Sequence, residues 1–162
     1  MERLWAPWRI QYIESTKEPI EGCLFDTVWA SDNDRESLLL HRGNTAFIMM
    51  NAFPYSNGHL MVAPVMHTGD VRLLSPEVML EVNQLVGTAI SILELAYQPD
   101  GYNVGINLGQ VAGAGIPSHV HWHIVPRWVG DTNFMMSVGQ TRVLPESLET
   151  SYDRLRAALE SI

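Results

Sequence analysis

Residues 119–127, His-Val-His-Trp-His-Ile-Val-Pro-Arg, alternate histidine with apolar side chains at a strict period of two before they end in Pro-Arg. Successive side chains of a strand point to opposite faces, so this spacing predicts a β-strand with His119, His121 and His123 on one face and Val120, Trp122 and Ile124 on the other. One face is packed and the other is chemical. Imidazole titrates near neutrality, attacks as the free base, and gives or takes a proton, so three in a row concentrate reactivity. Alternate residues of a strand can also reach one zinc ion while a further ligand comes from elsewhere. Spacing alone leaves both uses open.

The rest of the chain supplies partners for this strand. Residues 45–50 and 59–63 read as two strands joined by a loop over 51–58, where Pro54 and Asn57-Gly58 are turn chemistry. Ser75-Pro76-Glu77 opens a helix, with Ser75 as its cap and Pro76 in the first position, and the apolar stripe continues to about Tyr97, where Pro99-Asp100-Gly101 stops it. Residues 102–108 read as a third strand, followed by a glycine loop over 109–118. After a loop over 128–137, an amphipathic helix is expected within 145–162, through Leu148, Tyr152, Leu155 and Leu159. Residues 1–40, punctuated by Pro7, Pro19 and Gly22, read as an arm, with 31–36 a solvated loop or short helical turn.

Short loops between successive strands, with one long helix between the second and third, predict an α+β fold: an antiparallel sheet with helices to one side. The expected organisation is a single domain over 1–162, with the arm at 1–40 and a helical tail at 145–162. The glycines follow neither G-x-G-x-x-G nor the GK[ST] ending of a phosphate loop, which sets aside a doubly wound dinucleotide fold.

Composition narrows the partners. At 162 residues, 46% hydrophobic and 17% charged, the chain is the size of one globular unit with a core. Ten Lys and Arg against eighteen Asp and Glu give a net charge of −8, which repels polyanions, so nucleic acid is not an expected partner. Cys23 is the single cysteine, so no intrachain disulfide can form, and a reducing, cytoplasmic setting is expected. The opening MERLWAPWRI lacks the apolar run of a secretory leader, and no segment holds about eighteen apolar residues in succession, so neither processing nor a membrane partner is expected.

A second constellation points to a ligand. Asn51-Ala52-Phe53-Pro54-Tyr55-Ser56-Asn57-Gly58-His59 offers an amide, aromatic surface and a fourth histidine, a set suited to a nucleoside more than to a bare ion. His119 to Val125 resembles the His-x-His-x-His-x-x signature of the histidine triad superfamily, and residues 51–64 are similar to its upstream nucleoside-binding segment. Leu4-Trp5-Ala6-Pro7-Trp8-Arg9, Gly113-Ala114-Gly115 and Pro126 to Phe134 further resemble the branch of diadenosine tetraphosphate phosphorylase-like members.

That resemblance implies nucleotidyl transfer from a dinucleoside polyphosphate or related conjugate through a nucleotidyl-histidine, resolved by water or phosphate. It makes His121 the nucleophile, His123 a contact to phosphate, and His119 an orienting or proton-transferring neighbour. His59 becomes an active-site neighbour, Asn107 a phosphate contact and Asn51 the ribose ligand, while Phe47, Met50 and Phe53 are base-pocket walls. Gly115 and Ser118 belong to the loop whose backbone N–H groups would approach phosphate. Where many relatives carry Gln and Ser or Thr just before the triad, this chain has Gly115-Ile116-Pro117-Ser118, which removes a side-chain donor to the leaving group.

Many bacterial relatives also carry a Cys-x-x-Cys pair that holds a structural zinc. Here the pair is Cys23 and Asp26, and with His67 and His119 it could form a tetrahedral site, since carboxylate oxygen is an acceptable zinc ligand. No cofactor is implied for the covalent step, and magnesium would accompany the polyphosphate. The resemblance further implies a homodimer whose sheet continues across the interface, or a higher homo-oligomer in which the Trp5-Ala6-Pro7-Trp8 arm or the C-terminal segment adds contacts that extend the assembly. Two other readings are kept: a nucleotide-binding regulator with little turnover, and a metal-dependent hydrolase with the triad as ligands.

Overall fold

The computed structural model describes residues 22–131 and 146–162. Along the chain these form α1 (Leu24–Ala30), β1 (Leu39–Arg42), β2 (Ala46–Met50), β3 (Leu60–Pro64), α2 (Pro76–Tyr97), β4 (Gly101–Ile106), β5 (Trp122–Arg127) and α3 (Leu148–Leu159), with short 3-10 turns at Val71–Leu73 and Gln110–Ala112. The strands make one antiparallel sheet in the order β1-β2-β3-β5-β4. The α+β architecture with an antiparallel sheet is therefore as the sequence predicts. The Trp5-Ala6-Pro7-Trp8 arm and residues 132–145 lie outside the described residues.

Alternation along the strands divides the buried side chains between two faces. Leu40, Ile48, Leu60, Val62 and Ile124 face the helices and pack with Val82, Leu85, Ile92 and Leu93 of α2 and with Tyr152 and Leu155 of α3. Each such side chain contributes about 1.5 to 3 kcal/mol by leaving water, so this layer anchors the sheet. Phe47, Met49, Met61 and Ala63 face the other way and pack with Cys23, Phe25 and Val28 of the α1 region. The catalytic candidates lie on this second face, away from α2.

Helix α2 starts where the sequence places it. The Ser75 hydroxyl accepts from the Val78 N–H, Pro76 takes the first position, and Gln98 ends the helix in the left-handed region at φ 47°. By length and composition alone α2 could span a bilayer. Its Val82, Leu85, Ala89, Ile92 and Leu93 are instead buried in the protein.

Four boundaries differ from the sequence reading. The stretch read as an arm over 1–40 contains α1 and the start of β1. Both are short, and β1 carries a register irregularity between Leu39 and His41, so it shows no clean alternation. The strand expected over 119–127 begins only at Trp122. Residues 119–121 have left the sheet ladder, with the His119 N–H donating to the Ile116 carbonyl and the Val120 N–H to that of Thr68. The strand read over 102–108 is β4, which stops at Ile106, and the tail helix read over 145–162 is the shorter α3, capped by the Ser147 hydroxyl on the Thr150 N–H.

Candidate active site

The departure of residues 119–121 from the ladder turns each triad histidine to a different task. His121 is buried, and its Nδ1 lies 2.8 Å from the main-chain carbonyl of His119. A carbonyl only accepts, so Nδ1 carries the proton and Nε2 keeps its lone pair. Phe25 of α1 lies against this imidazole with ring centroids 4.6 Å apart, and against His119 at 5.0 Å. Burial pushes the His121 pKa below the ordinary imidazole value, although the hydrogen bond to His119 works against it. The result is a neutral imidazole at neutral pH with a fixed, unprotonated Nε2, which is what a nitrogen nucleophile requires.

His123 has the opposite tautomer. It sits mid-sheet, paired with Met61 of β3 and Gly105 of β4, and its Nδ1 is 3.0 Å from Nε2 of His59. The Tyr55 N–H donates to His59 Nδ1 at 3.1 Å, and the Asn51 amide nitrogen is 3.3 Å from the same atom. Two donors on Nδ1 leave the His59 proton on Nε2, from which it is donated to His123 Nδ1; the remaining His123 proton is therefore on Nε2. Burial first, and then the neighbouring His121, push the His123 pKa down to about 4. His123 thus offers an N–H donor beside the unprotonated Nε2 of His121, the two rings being 4.9 Å apart.

The loop after β2 holds this arrangement. Gly58 has φ +76°, and a Cβ there would stand 2.8 Å from Leu93 and 2.9 Å from Tyr97, so only glycine lets the chain turn tightly into His59 and β3. Asn51 Oδ1 accepts from the Phe53 N–H at 2.8 Å, which sets the amide at the end of β2. Beneath the loop, Glu146 accepts hydrogen bonds from the Tyr97 hydroxyl at 2.6 Å and the Ser151 hydroxyl at 2.9 Å and pairs with Arg154 at 2.9 Å. Burial and the bond to Glu146 raise the Tyr97 pKa to about 12.

Other expected ligand contacts are placed unevenly. Phe47 is fully buried, stacked on Trp29 at 5.5 Å between centroids, and belongs to the same layer as Phe25. Phe53 is half exposed at the loop surface. Met50 packs on the helix side of the sheet, so it cannot wall a pocket on the triad face; the strict alternation of β2 puts it there. Asn107 follows the Ile106–Trp122 pair and lies near Gly113 of the glycine loop. Gly115 and Ser118 are exposed on that loop.

The ring of His119 serves another cluster. Its Nε2 donates to the Pro64 carbonyl at 2.8 Å, which leaves the Nδ1 lone pair directed at Cys23 Sγ, 3.3 Å away, and Asp26 Oδ1, 3.4 Å away. His67 Nδ1 lies 2.8 Å from Asp26 Oδ2. One ligand atom from each of Cys23, Asp26, His67 and His119 falls within 4.8 Å of the others. A Cβ at Gly69 would meet the Pro117 carbonyl oxygen at 2.2 Å, so glycine there lets the 67–69 segment lie directly on the chain that leads to His119. A sulfur, an imidazole lone pair with its other nitrogen already committed, a second imidazole and a carboxylate fit tetrahedral zinc. With that ring so engaged, the proton-transfer role expected of His119 has no geometry behind it; its orienting role is exercised by its carbonyl. His121 and His123 are the triad rings left outside that cluster, and Phe25 and Glu146 are packing and hydrogen-bonding neighbours of the site that the sequence reading missed.

With the geometry in place, comparison with known proteins is informative. The HIT domain model matches residues 33–129. The AP-4-A phosphorylase of Mycobacterium tuberculosis is 33% identical over 91% of this chain and 79% of its own length. The asymmetrical bis(5'-nucleosyl)-tetraphosphatase of Schizosaccharomyces pombe is 28% identical over 59% of this chain and 52% of its own. Among solved structures, a zinc-bound histidine triad family protein from Mycobacterium smegmatis superimposes with a TM-score of 0.70 at 25% identity, covering 86% of this chain and 94% of that one.

Proposed function

Since this chain belongs to the HIT domain family, we propose that it is a nucleotidyl transferase that cleaves dinucleoside polyphosphates of the diadenosine tetraphosphate kind through a covalent adduct on His121. The family and its named relatives support a nucleotide-processing enzyme. The choice of dinucleoside polyphosphate follows the phosphorylase and tetraphosphatase relatives, and the observation that carries the mechanism is the tautomer of His121. Its Nδ1 proton is held by the His119 carbonyl, so Nε2 is free to attack.

In this reading Nε2 forms a bond to the α-phosphorus while the bond from that phosphorus to the bridging oxygen breaks. The His123 Nε2–H supports the departing oxygen, and the positive charge that develops on the His121 ring is stabilised through Nδ1–H by the His119 carbonyl. Phosphate or water then attacks the same phosphorus and releases His121. Asn51 is the ribose contact, Asn107 and the loop bearing Gly115 and Ser118 receive phosphate oxygens, and Phe53 is the base contact, Phe47 being sealed in the core against Trp29. Magnesium belongs with the substrate, whose charge the acidic chain gains from neutralising.

Zinc held by Cys23, Asp26, His67 and His119 would cross-link α1 to the triad segment, and a similar protein that is zinc-bound supports metal binding. The same geometry weighs against a metal hydrolase with the whole triad as ligands, because the His119 ring faces Cys23, Asp26 and His67 while the lone pair of His123 Nδ1 accepts from His59. A homodimer is part of the proposal: among the described residues β4 is an outer strand of the sheet with Val104 exposed, an edge on which a second copy could pair.

The test is incubation of wild-type protein and His121→Ala with diadenosine tetraphosphate, with and without inorganic phosphate, with products separated by chromatography. Cleavage by wild type alone supports the proposal. A nucleoside diphosphate formed only with phosphate identifies phosphorolysis, and equal cleavage by both proteins removes His121 as nucleophile.

A further inference from the structure

We propose that Tyr55 is a positioning residue for His123, setting through His59 which nitrogen of His123 carries the proton that faces the leaving group. The inference rests on the reading of His123 as the donor, and it assigns the source of that donor's orientation. Tyr55 touches the His59–His123 pair in two independent ways. Its main-chain N–H donates to His59 Nδ1 at 3.1 Å, which keeps the His59 proton on Nε2. Its ring lies over both imidazoles, with centroids 4.6 Å from His59 and 5.9 Å from His123 and interplanar angles of 36° and 27°.

The physical need for such a device follows from the imidazole itself. The proton occupies whichever nitrogen its surroundings leave to it, so a neutral histidine has a fixed tautomer only where a partner holds the other nitrogen. The partner of His123 is His59, 3.0 Å away. Water reaching that contact would offer His123 Nδ1 a second partner able to accept, and the proton would then divide between the two nitrogens. The Tyr55 ring covers this approach while remaining half exposed on its outer side.

The ring and the amide are separable. In Tyr55→Phe both remain, in Tyr55→Ala only the amide remains, and in Tyr55→Pro neither does. The readout is the pair of side-chain 15N shifts of His59 and His123 in the full-length protein labelled at histidine, together with kcat and KM on diadenosine tetraphosphate. Tyr55→Phe, which keeps both ring and amide, is expected to keep the fixed His59 and His123 shifts. Tyr55→Ala is expected to bring the two His123 nitrogens toward averaged shifts while His59 keeps its Nε2–H form, with kcat down about tenfold and KM within about twofold. Tyr55→Pro is expected to average His123 as Tyr55→Ala does and to loosen the His59 tautomer, which then rests on the Asn51 amide alone.

Fixed His123 shifts in folded Tyr55→Ala overturn the proposal, as does a change in KM with kcat and shifts unaltered, which would place the ring against substrate. The 15N readout needs no substrate. A wild-type protein inactive on the tetraphosphate whose His123 shifts still respond to Tyr55→Ala would refute the substrate assignment and uphold the positioning role.

Discussion

The carbonyl of His119 and Nδ1 of His121 are 2.8 Å apart, so the backbone of one triad histidine fixes the tautomer of the next. The ring of the same His119 faces Cys23, Asp26 and His67. One residue therefore joins a candidate structural metal centre to the candidate nucleophile, through its side chain on one side and its main chain on the other. His123, two residues further, is oriented by a different set of groups that comes from the loop after β2.

Phe25 is the apolar support of this arrangement. It is 1% exposed and contacts the rings of both His119 and His121. Phe25→Ala is expected to lower stability in urea unfolding by about 3 to 5 kcal/mol, and Phe25→Leu by under about 1.5. A loss well below 1 kcal/mol for Phe25→Ala would show that the ring is not packed there.

Acid is expected to weaken the fold through the buried imidazoles. Burial and the neighbouring His121 push the His123 pKa down to about 4 in the fold, whereas an exposed histidine of the unfolded chain has its pKa near about 6.5. Between these values the unfolded chain binds a proton that the folded chain refuses, so the stability contributed by neutral His123, complete above about pH 6.5, is lost as pH falls toward 4. His121, shifted the same way by burial, adds to the slope. Urea midpoints measured from pH 7 to pH 4 are expected to fall, and to fall less steeply in His123→Gln. An unchanged slope in that variant would contradict the assignment.

Metal binding separates the two histidine clusters. One zinc per chain is expected by native mass spectrometry, with a rise in the thermal midpoint that grows with free zinc. Cys23→Ser and Asp26→Ala are expected to weaken binding, Asp26→Cys to tighten it, and His121→Ala to leave the stoichiometry unchanged. Loss of the metal in His121→Ala would place the nucleophile in the metal site and undo the separation.

The sequence carries the sheet and the long helix well because their signals are local. Ser75-Pro76 and Pro99-Asp100-Gly101 bracket α2, and Asn57-Gly58 closes the loop before β3. The candidate histidines are equally legible, since His119, His121 and His123 recur at every second position. Their division of labour is not. Period two places all three on one strand face only if the strand begins at 119, and it begins at Trp122 because the chain there bonds to Thr68 and Ile116 instead of to β3. Those contacts depend on Gly69 lying against Pro117, a tertiary relationship without local signature. Phe25 and Glu146 were missed for the same reason: a Leu-Phe-Asp run and a Pro-Glu pair gain meaning only from what folds onto them. Tyr55 is the intermediate case, visible as part of the 51–59 segment but assigned a purpose only by its distance to His59.

The central claim is that His121 Nε2 becomes bonded to phosphorus. The most direct test is acid-free rapid quenching of the wild-type protein during turnover of diadenosine tetraphosphate, followed by proteolysis and peptide mass mapping under mildly alkaline conditions. The expected result is a nucleotidyl mass on the peptide that contains residues 119–127, fragmenting to His121 and absent from His121→Ala. The same mass on another residue, or turnover by a His121→Ala protein that carries no adduct, would contradict the account.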